Sequence, residues 1–196
     1  MRLRRVGPTA VLVETGDPWR SLALAEVARA EGWAVEVVPA ATTVLLDGIA
    51  ALDRVERGLE RAGSATARPP GRLVEVPVDY DGADLEEIAA AWSVSAADVV
   101  ARHTEVEWVA LFTGFAPGFA YLATTAAWPA VPRRQTPRTK VPAGAVGLAD
   151  RWSGIYPTPS PGGWQLLGRT DLVLWDADRA EPALLTPGTR VRFVAR

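Results

Sequence analysis

Apolar and polar positions follow two different rhythms along this 196-residue chain, and the change falls near residue 80. The first part alternates strand and helix patterns. AVLVE (10–14) is a short apolar run. Asp17 followed by Pro18 reads as an N-cap with proline at the first helical position. Leu24, Val27 and Ala28 then share a helical face, and Gly32 stops the helix after Glu31. WAVEVVP (33–39) and TVLLDG (43–48) predict two strands. In ALDRVERGLERAG (51–63), Leu52, Val55 and Leu59 lie on one face and the charges on the other, which predicts a helix ended by Gly63. ATARPPGR (65–72) is a loop in this reading, and RLVEVPVDY (72–80) alternates as a half-buried strand should. The resulting order, β-α-β-β-α-β, is that of a small ferredoxin-like sandwich. The boundary then divides the chain into 1–80 and 81–196.

The second part opens with two short helices, 84–92 and 95–103, the latter with Ser95 and Asp98 spaced as a capping box. EWVALFTGF (107–115) follows as a strand. Helical periodicity then ceases, and Pro and Gly arrive together in APG (116–118), VPAG (141–144), SPGG (160–163) and TPG (186–188). Proline followed by glycine suits the two central positions of a type II turn, where the second residue has positive φ. Between the turns, 145–149, 163–170, 171–176 and 190–195 read as short strands. Many short strands punctuated in this way predict a closed β-barrel or a sandwich. The fold class is therefore α+β, and six of the eight tryptophans fall after residue 80.

Composition narrows the chemistry. A net charge of -2 argues against nucleic acid as the main partner, because phosphate backbones are bound through a basic excess. No apolar run approaches the ~20 residues of a bilayer span, and the N-terminal apolar stretch is broken by Gly7 and Pro8, so a cytoplasmic location without membrane or secretory signal is expected. The chain has no cysteine and a single histidine, His103, which leaves no thiolate chemistry and no histidine-ligated metal site. A Ser-His-Asp hydrolase would have to be built on His103. No phosphate-binding glycine loop of either common type occurs, so any nucleotide is expected on a partner or across an interface.

Four features carry candidate chemistry. GFAPGFAYL (114–122) crowds Phe115, Phe119, Tyr121 and Leu122 around a Pro117-Gly118 turn. It is either a barrel corner packing its own rings, or a site wall whose unpaired N–H groups face an oxyanion. SPGGW with the next residue offers Gly162 and Gly163 for close backbone approach, Trp164 as a pocket floor and Gln165 as an amide; a tight hairpin is the structural alternative. RRQTPRTK (133–140) holds four positive charges and no acid, and Arg138, fixed between Pro137 and VPAG, suits bidentate capture of a carboxylate or phosphate. A solvated basic loop is the commoner fate of such a run. His103 ends a predicted helix, where it serves as general acid or merely caps the last carbonyls.

Read together, GFAPGFAYL, RRQTPRTKVPAGAVGLA (133–149) and SGIYPTPSPGGWQLLGRT (153–170) resemble, in order and approximate spacing, a bacterial family. It is variously called the B-type component of 5-oxoprolinase, allophanate hydrolase subunit 1 or the C/D-type carboxyltransferase domain, and the kinase inhibitor KipI belongs to it. The resemblance implies a small α/β domain followed by a cyclophilin-like β-barrel. It implies an ATP-dependent 5-oxoprolinase, hydrolysing 5-oxo-L-proline to L-glutamate, or a related allophanate hydrolase or carboxyltransferase, with this chain inactive alone. The implied partners are a homologous second subunit (the C-type component of 5-oxoprolinase, or the allophanate hydrolase subunit 2 type) and a third, A-type component, with ATP used at the level of the complex. A KipI-like module inhibiting a sensor histidine kinase is the alternative; prolyl isomerase chemistry has only barrel analogy behind it. The chain departs from the family pattern at Ala145, where serine is usual, and at Asp171, where proline is. It departs again over Asp150–Gly154, where Trp152 replaces a glutamine. A site built from these strings requires Pro117, Arg138 and Gly162 to line one cleft.

Overall fold

The computed structural model describes residues 1–62 and 71–196, so most of the loop expected at 65–72 lies outside the described residues. The chain forms two compact units, Met1–Pro70 and Gly71–Arg196.

The first unit is one antiparallel sheet with two helices. Its strands are β1 (Arg2–Arg5), β2 (Ala10–Glu14), β3 (Glu36–Pro39) and β4 (Thr43–Asp47), in the order β1-β2-β4-β3. Helix α1 (Pro18–Ala30) starts as the sequence requires, with the Asp17 carboxylate accepting from the Arg20 N–H at 3.0 Å. Helix α2 (Leu52–Arg61) puts Val55 into the core with Val11, Val13, Val44 and Leu46. The fourth strand of the sheet is β1, not the strand expected at 72–80.

That strand, β5 (Leu73–Val78), belongs to the second unit, where it pairs in parallel with β13 (Arg190–Ala195). The division therefore falls between residues 70 and 71 rather than at 80. The physical reason is that alternation fixes which face of a strand is buried, not which sheet it joins. Helices α3 (Leu85–Trp92) and α4 (Ala96–Glu105) follow, and the Ser95–Asp98 capping box is present at the start of α4. Then come β6 (Trp108–Thr113), β7 (Ala120–Ala123), β8 (Arg138–Val141), β9 (Ala145–Ala149), β10 (Trp152–Ile155), β11 (Ser160–Gly162) and β12 (Gln165–Arg169).

Seven strands form one sheet in the order β12-β9-β10-β7-β6-β13-β5. Its two edges meet: Asp79 N–H donates to Arg169 O and Arg169 N–H to Asp79 O, both at 2.9 Å, so the sheet is nearly closed into a barrel. Gly168 permits the seam, since a Cβ there would sit 2.2 Å from Asp79 O, and the register shifts beside it between Leu166 and Gly168. Trp108, Leu122, Leu148, Ile155, Leu167 and Phe193 fill the barrel core with Ile88 and Val99 of the helices. Each such burial is worth roughly 1.5–3 kcal/mol. The SPGG segment is not a turn, because Ser160–Gly162 is a strand paired with β8. Residues 171–176 form no strand; Trp175 makes one isolated bridge to Ala183. Among the described residues no helix is long and apolar enough to cross a membrane.

Candidate functional site

The β6–β7 hairpin carries GFAPGFAYL. Its turn forms as expected: Gly118 has φ 83° and Phe119 N–H donates to Ala116 O at 3.0 Å. Ala116 N–H in turn donates to Gly114 O at 2.9 Å, so these two N–H groups are spent on the loop itself. Phe119, 2 % exposed, is the hub of a ring cluster. It meets Phe115, Tyr121, Tyr156 and Trp164 edge to face, with centroids 5.3, 5.1, 5.5 and 5.3 Å away. Tyr121 also stacks on Phe112 at 4.4 Å and meets Trp152 at 5.9 Å.

These rings enclose a cavity of about 190 Å³, lined by Phe115, Phe119, Tyr121, Trp152, Tyr156 and Trp164, with Arg133, Ala149, Asp150, Pro161 and Gly162 completing the wall. All three strings singled out in the sequence thus reach one cavity. Strand pairing explains why: β11 lies against β8, and Arg134 N–H donates to Gly163 O at 2.8 Å, which ties the basic loop to the SPGGW segment. Two of the positions that depart from the family pattern, Asp150 and Trp152, are in the wall as well. Phe115 and Asp150 have φ of 72° and 51°, two of the three non-glycine residues with positive φ among the described residues. Such backbone is retained where the surrounding structure over-determines it, often around ligand sites.

The particular residues expected to share a cleft do not. Gly162, Tyr121 and Trp164 line the aromatic cavity; Pro117 and Gly118 line a neighbouring cleft with Phe115, Trp175 and Ala183. Arg138 lines neither. Its Nη2 donates at 2.7 Å to Oδ1 of Asp84, which also accepts from Arg134 Nη1 at 2.8 Å, while Oδ2 accepts from Leu166 N–H at 2.7 Å. Asp84 is 1 % exposed and sits at the N-terminus of α3 without capping it. Gln165 is also buried, with its Nε2 3.4 Å from Pro132 O, outside the cavity wall. Gly163 serves through its carbonyl, as described.

His103 is not available to a ligand. It is fully buried, its ring stacked on Phe193 at 4.2 Å, with Nδ1 2.7 Å from Tyr80 Oη and Nε2 2.9 Å from Ser153 Oγ. Burial pushes its pKa down to about 3, so the imidazole is neutral rather than the imidazolium expected at a helix end. The helix position is as predicted, in the last turn of α4, but the ring turns inward. The Ser153–His103 contact is equally sealed, since Ser153 is 0 % exposed. Among the described residues, no group of three His, Asp or Glu side chains is placed to hold a metal ion.

Sequence reading missed Arg133 and Tyr156. Arg133 stands inside the basic run that drew attention to Arg138, and Tyr156 inside the SGIYPTPSPGGW string. Only strand pairing tells which members face the cavity.

The nearly closed barrel that carries these strings places the chain among carboxyltransferase-type domains. Residues 1–185 match the model of the family described as carboxyltransferase domain, subdomain C and D, and the chain belongs to that family. It is 40% identical over 208 residues to the B subunit of 5-oxoprolinase from Escherichia coli O157:H7, covering 96% of this chain and 93% of the relative. It is 44% identical over 126 residues to the B subunit of 5-oxoprolinase from Bacillus subtilis (strain 168), covering 63% of this chain and 52% of the relative. The crystal structure of TTHA0988 superposes with a TM-score of 0.78 at 37% identity, covering 96% of this chain; the present chain spans only 40% of that one.

Proposed function

We propose that the chain is the B-type component of an ATP-dependent 5-oxoprolinase, hydrolysing 5-oxo-L-proline to L-glutamate with two partners, one a homologous barrel protein and the other a third, A-type component. The observation that carries this reading is the meeting of the three strings at one small aromatic cavity beside Arg133. In the same reading the barrel is of the cyclophilin-like type. A five-membered lactam is flat and apolar on both faces, which suits walls made of ring edges and faces. Its carboxylate matches the exposed Arg133 guanidinium in the cavity wall.

The cavity, about 190 Å³, lies below the roughly 300–1,000 Å³ of pockets for drug-sized ligands and suits a small amide better than a nucleotide. In this reading ATP is bound by a partner or across an interface of the complex, and this chain supplies binding and orientation of the amide. The test is co-expression with the homologous barrel partner and the third component, followed by ATP-dependent glutamate formation from 5-oxoproline. Arg133→Ala is expected to lower kcat/KM by about 10–100-fold, the worth of one charge-assisted hydrogen bond. A complex that neither co-purifies nor turns over 5-oxoproline refutes the proposal.

A further inference from the structure

Of the cavity rings whose polar end has no hydrogen-bond partner among the described residues, Tyr156 is the most buried. The residue is 1 % exposed, yet it lines the cavity wall. Its backbone is pinned on both sides, Tyr156 N–H donating to Ala145 O at 2.9 Å and Gly144 N–H donating to Tyr156 O at 2.7 Å. Its ring is held edge to face by Phe119 at 5.5 Å and Phe115 at 6.1 Å. No acceptor for the hydroxyl's own proton is found among the described residues. Gly162 makes room for this hydroxyl, since a Cβ at 162 would lie 2.3 Å from Tyr156 Oη. Burial raises the phenol's pKa, opposed in part by Trp164, Arg133 and Arg138, so the group remains a neutral donor. A packing tyrosine ordinarily satisfies its O–H on a neighbouring group.

We infer that Tyr156 is the specificity donor of the cavity: its O–H bonds the ring carbonyl oxygen of a small anionic ligand whose carboxylate is held by Arg133. This rests on the function proposed above and adds to it the group that tells a lactam carboxylate from a ring carboxylate with no carbonyl. An apolar pocket alone separates such ligands poorly, whereas a buried donor left without its acceptor rejects the wrong one strongly.

The experiment titrates the full chain calorimetrically with 5-oxo-L-proline and with cyclopentanecarboxylate, for the wild type, Tyr156→Phe and Arg133→Ala. The wild type is expected to prefer 5-oxoproline by about tenfold or more, the scale of one unmade buried hydrogen bond. Tyr156→Phe is expected to bring the two within about threefold by weakening 5-oxoproline alone, leaving cyclopentanecarboxylate unchanged. Arg133→Ala is expected to weaken both. A wild type that binds both equally overturns the inference without any substitution. So does a Tyr156→Phe variant that keeps the preference, or that loses both ligands together as a structural lesion would. If the wild type binds neither compound, the proposed function falls and this inference with it; if only the preference fails to respond, the function stands.

Discussion

The chain's single histidine makes one linkage experiment unusually clean. His103 is neutral in the folded barrel, with a pKa of about 3, against about 6.5 in the unfolded chain. Its folded pKa is depressed, so between those values the unfolded state binds the extra proton and stability rises with pH. The contribution is complete above about pH 6.5 and is lost progressively as pH falls toward 3. Lowering the pH from 7.5 to 5.0 should therefore cost about 2 kcal/mol through this residue, each unit below the unfolded pKa costing ~1.4 kcal/mol. His103→Gln keeps polar atoms near Tyr80 and Ser153 but removes the titration. Urea unfolding followed by tryptophan fluorescence, for both proteins at both pH values, isolates the term, because carboxylates titrate alike in each and cancel. The wild type should lose about 2 kcal/mol more than the variant. Equal losses would mean that the imidazole is solvated, and the sealed Tyr80–His103–Ser153 arrangement would be wrong.

Two further substitutions test the supports of the site. Asp84→Ala leaves Arg134 and Arg138 without their shared buried carboxylate and should destabilise by about 3–5 kcal/mol in urea unfolding; a loss below ~1 kcal/mol would show that the guanidinium groups are adequately solvated without it. Gly162→Ala forces a Cβ against Tyr156 Oη and should cost about 1–3 kcal/mol in stability and weaken 5-oxoproline binding in the same calorimetric titration; unchanged binding would place the hydroxyl elsewhere.

Local patterns were legible where a strand's own neighbours decide it. The runs 10–14, 145–149 and 190–195 coincide with β2, β9 and β13, and the capping box at Ser95 marks the start of α4. Long-range pairing was not legible. The strand β1 reads RLRR and carries one apolar residue, so no alternation announces it, although it fills the edge of the first sheet. Leu73–Val78 alternates equally well for either sheet. Residues 171–176 look like a strand because Leu172 and Leu174 pack on the barrel core, yet they do so from a loop. The site follows the same division. The strings that build it were visible, but the choice of Arg133 over Arg138 depends on Asp84, which is 54 residues from Arg138 in sequence.

The repeated Gly-Phe-Ala triplet shows how one stretch serves core and site together. In the second copy Phe119 is buried at the hub of the cluster, and its ring contacts set where the wall stands. In the first copy Phe115 is 58 % exposed, holds φ at 72°, and lines both the aromatic cavity and the cleft beside it. A left-handed backbone costs a residue other than glycine roughly 1–2 kcal/mol. Phe115 recovers only part of a phenylalanine's burial, so packing alone is a poor reason to keep a bulky ring in that conformation. The left-handed turn does have a geometric result. It brings the Phe115 ring to 6.1 Å from that of Tyr156, on a hairpin whose other arm carries Phe119 and Tyr121. The alternatives of barrel corner and site wall are therefore not exclusive: the second phenylalanine supplies the corner, and the strained first one extends it into a wall.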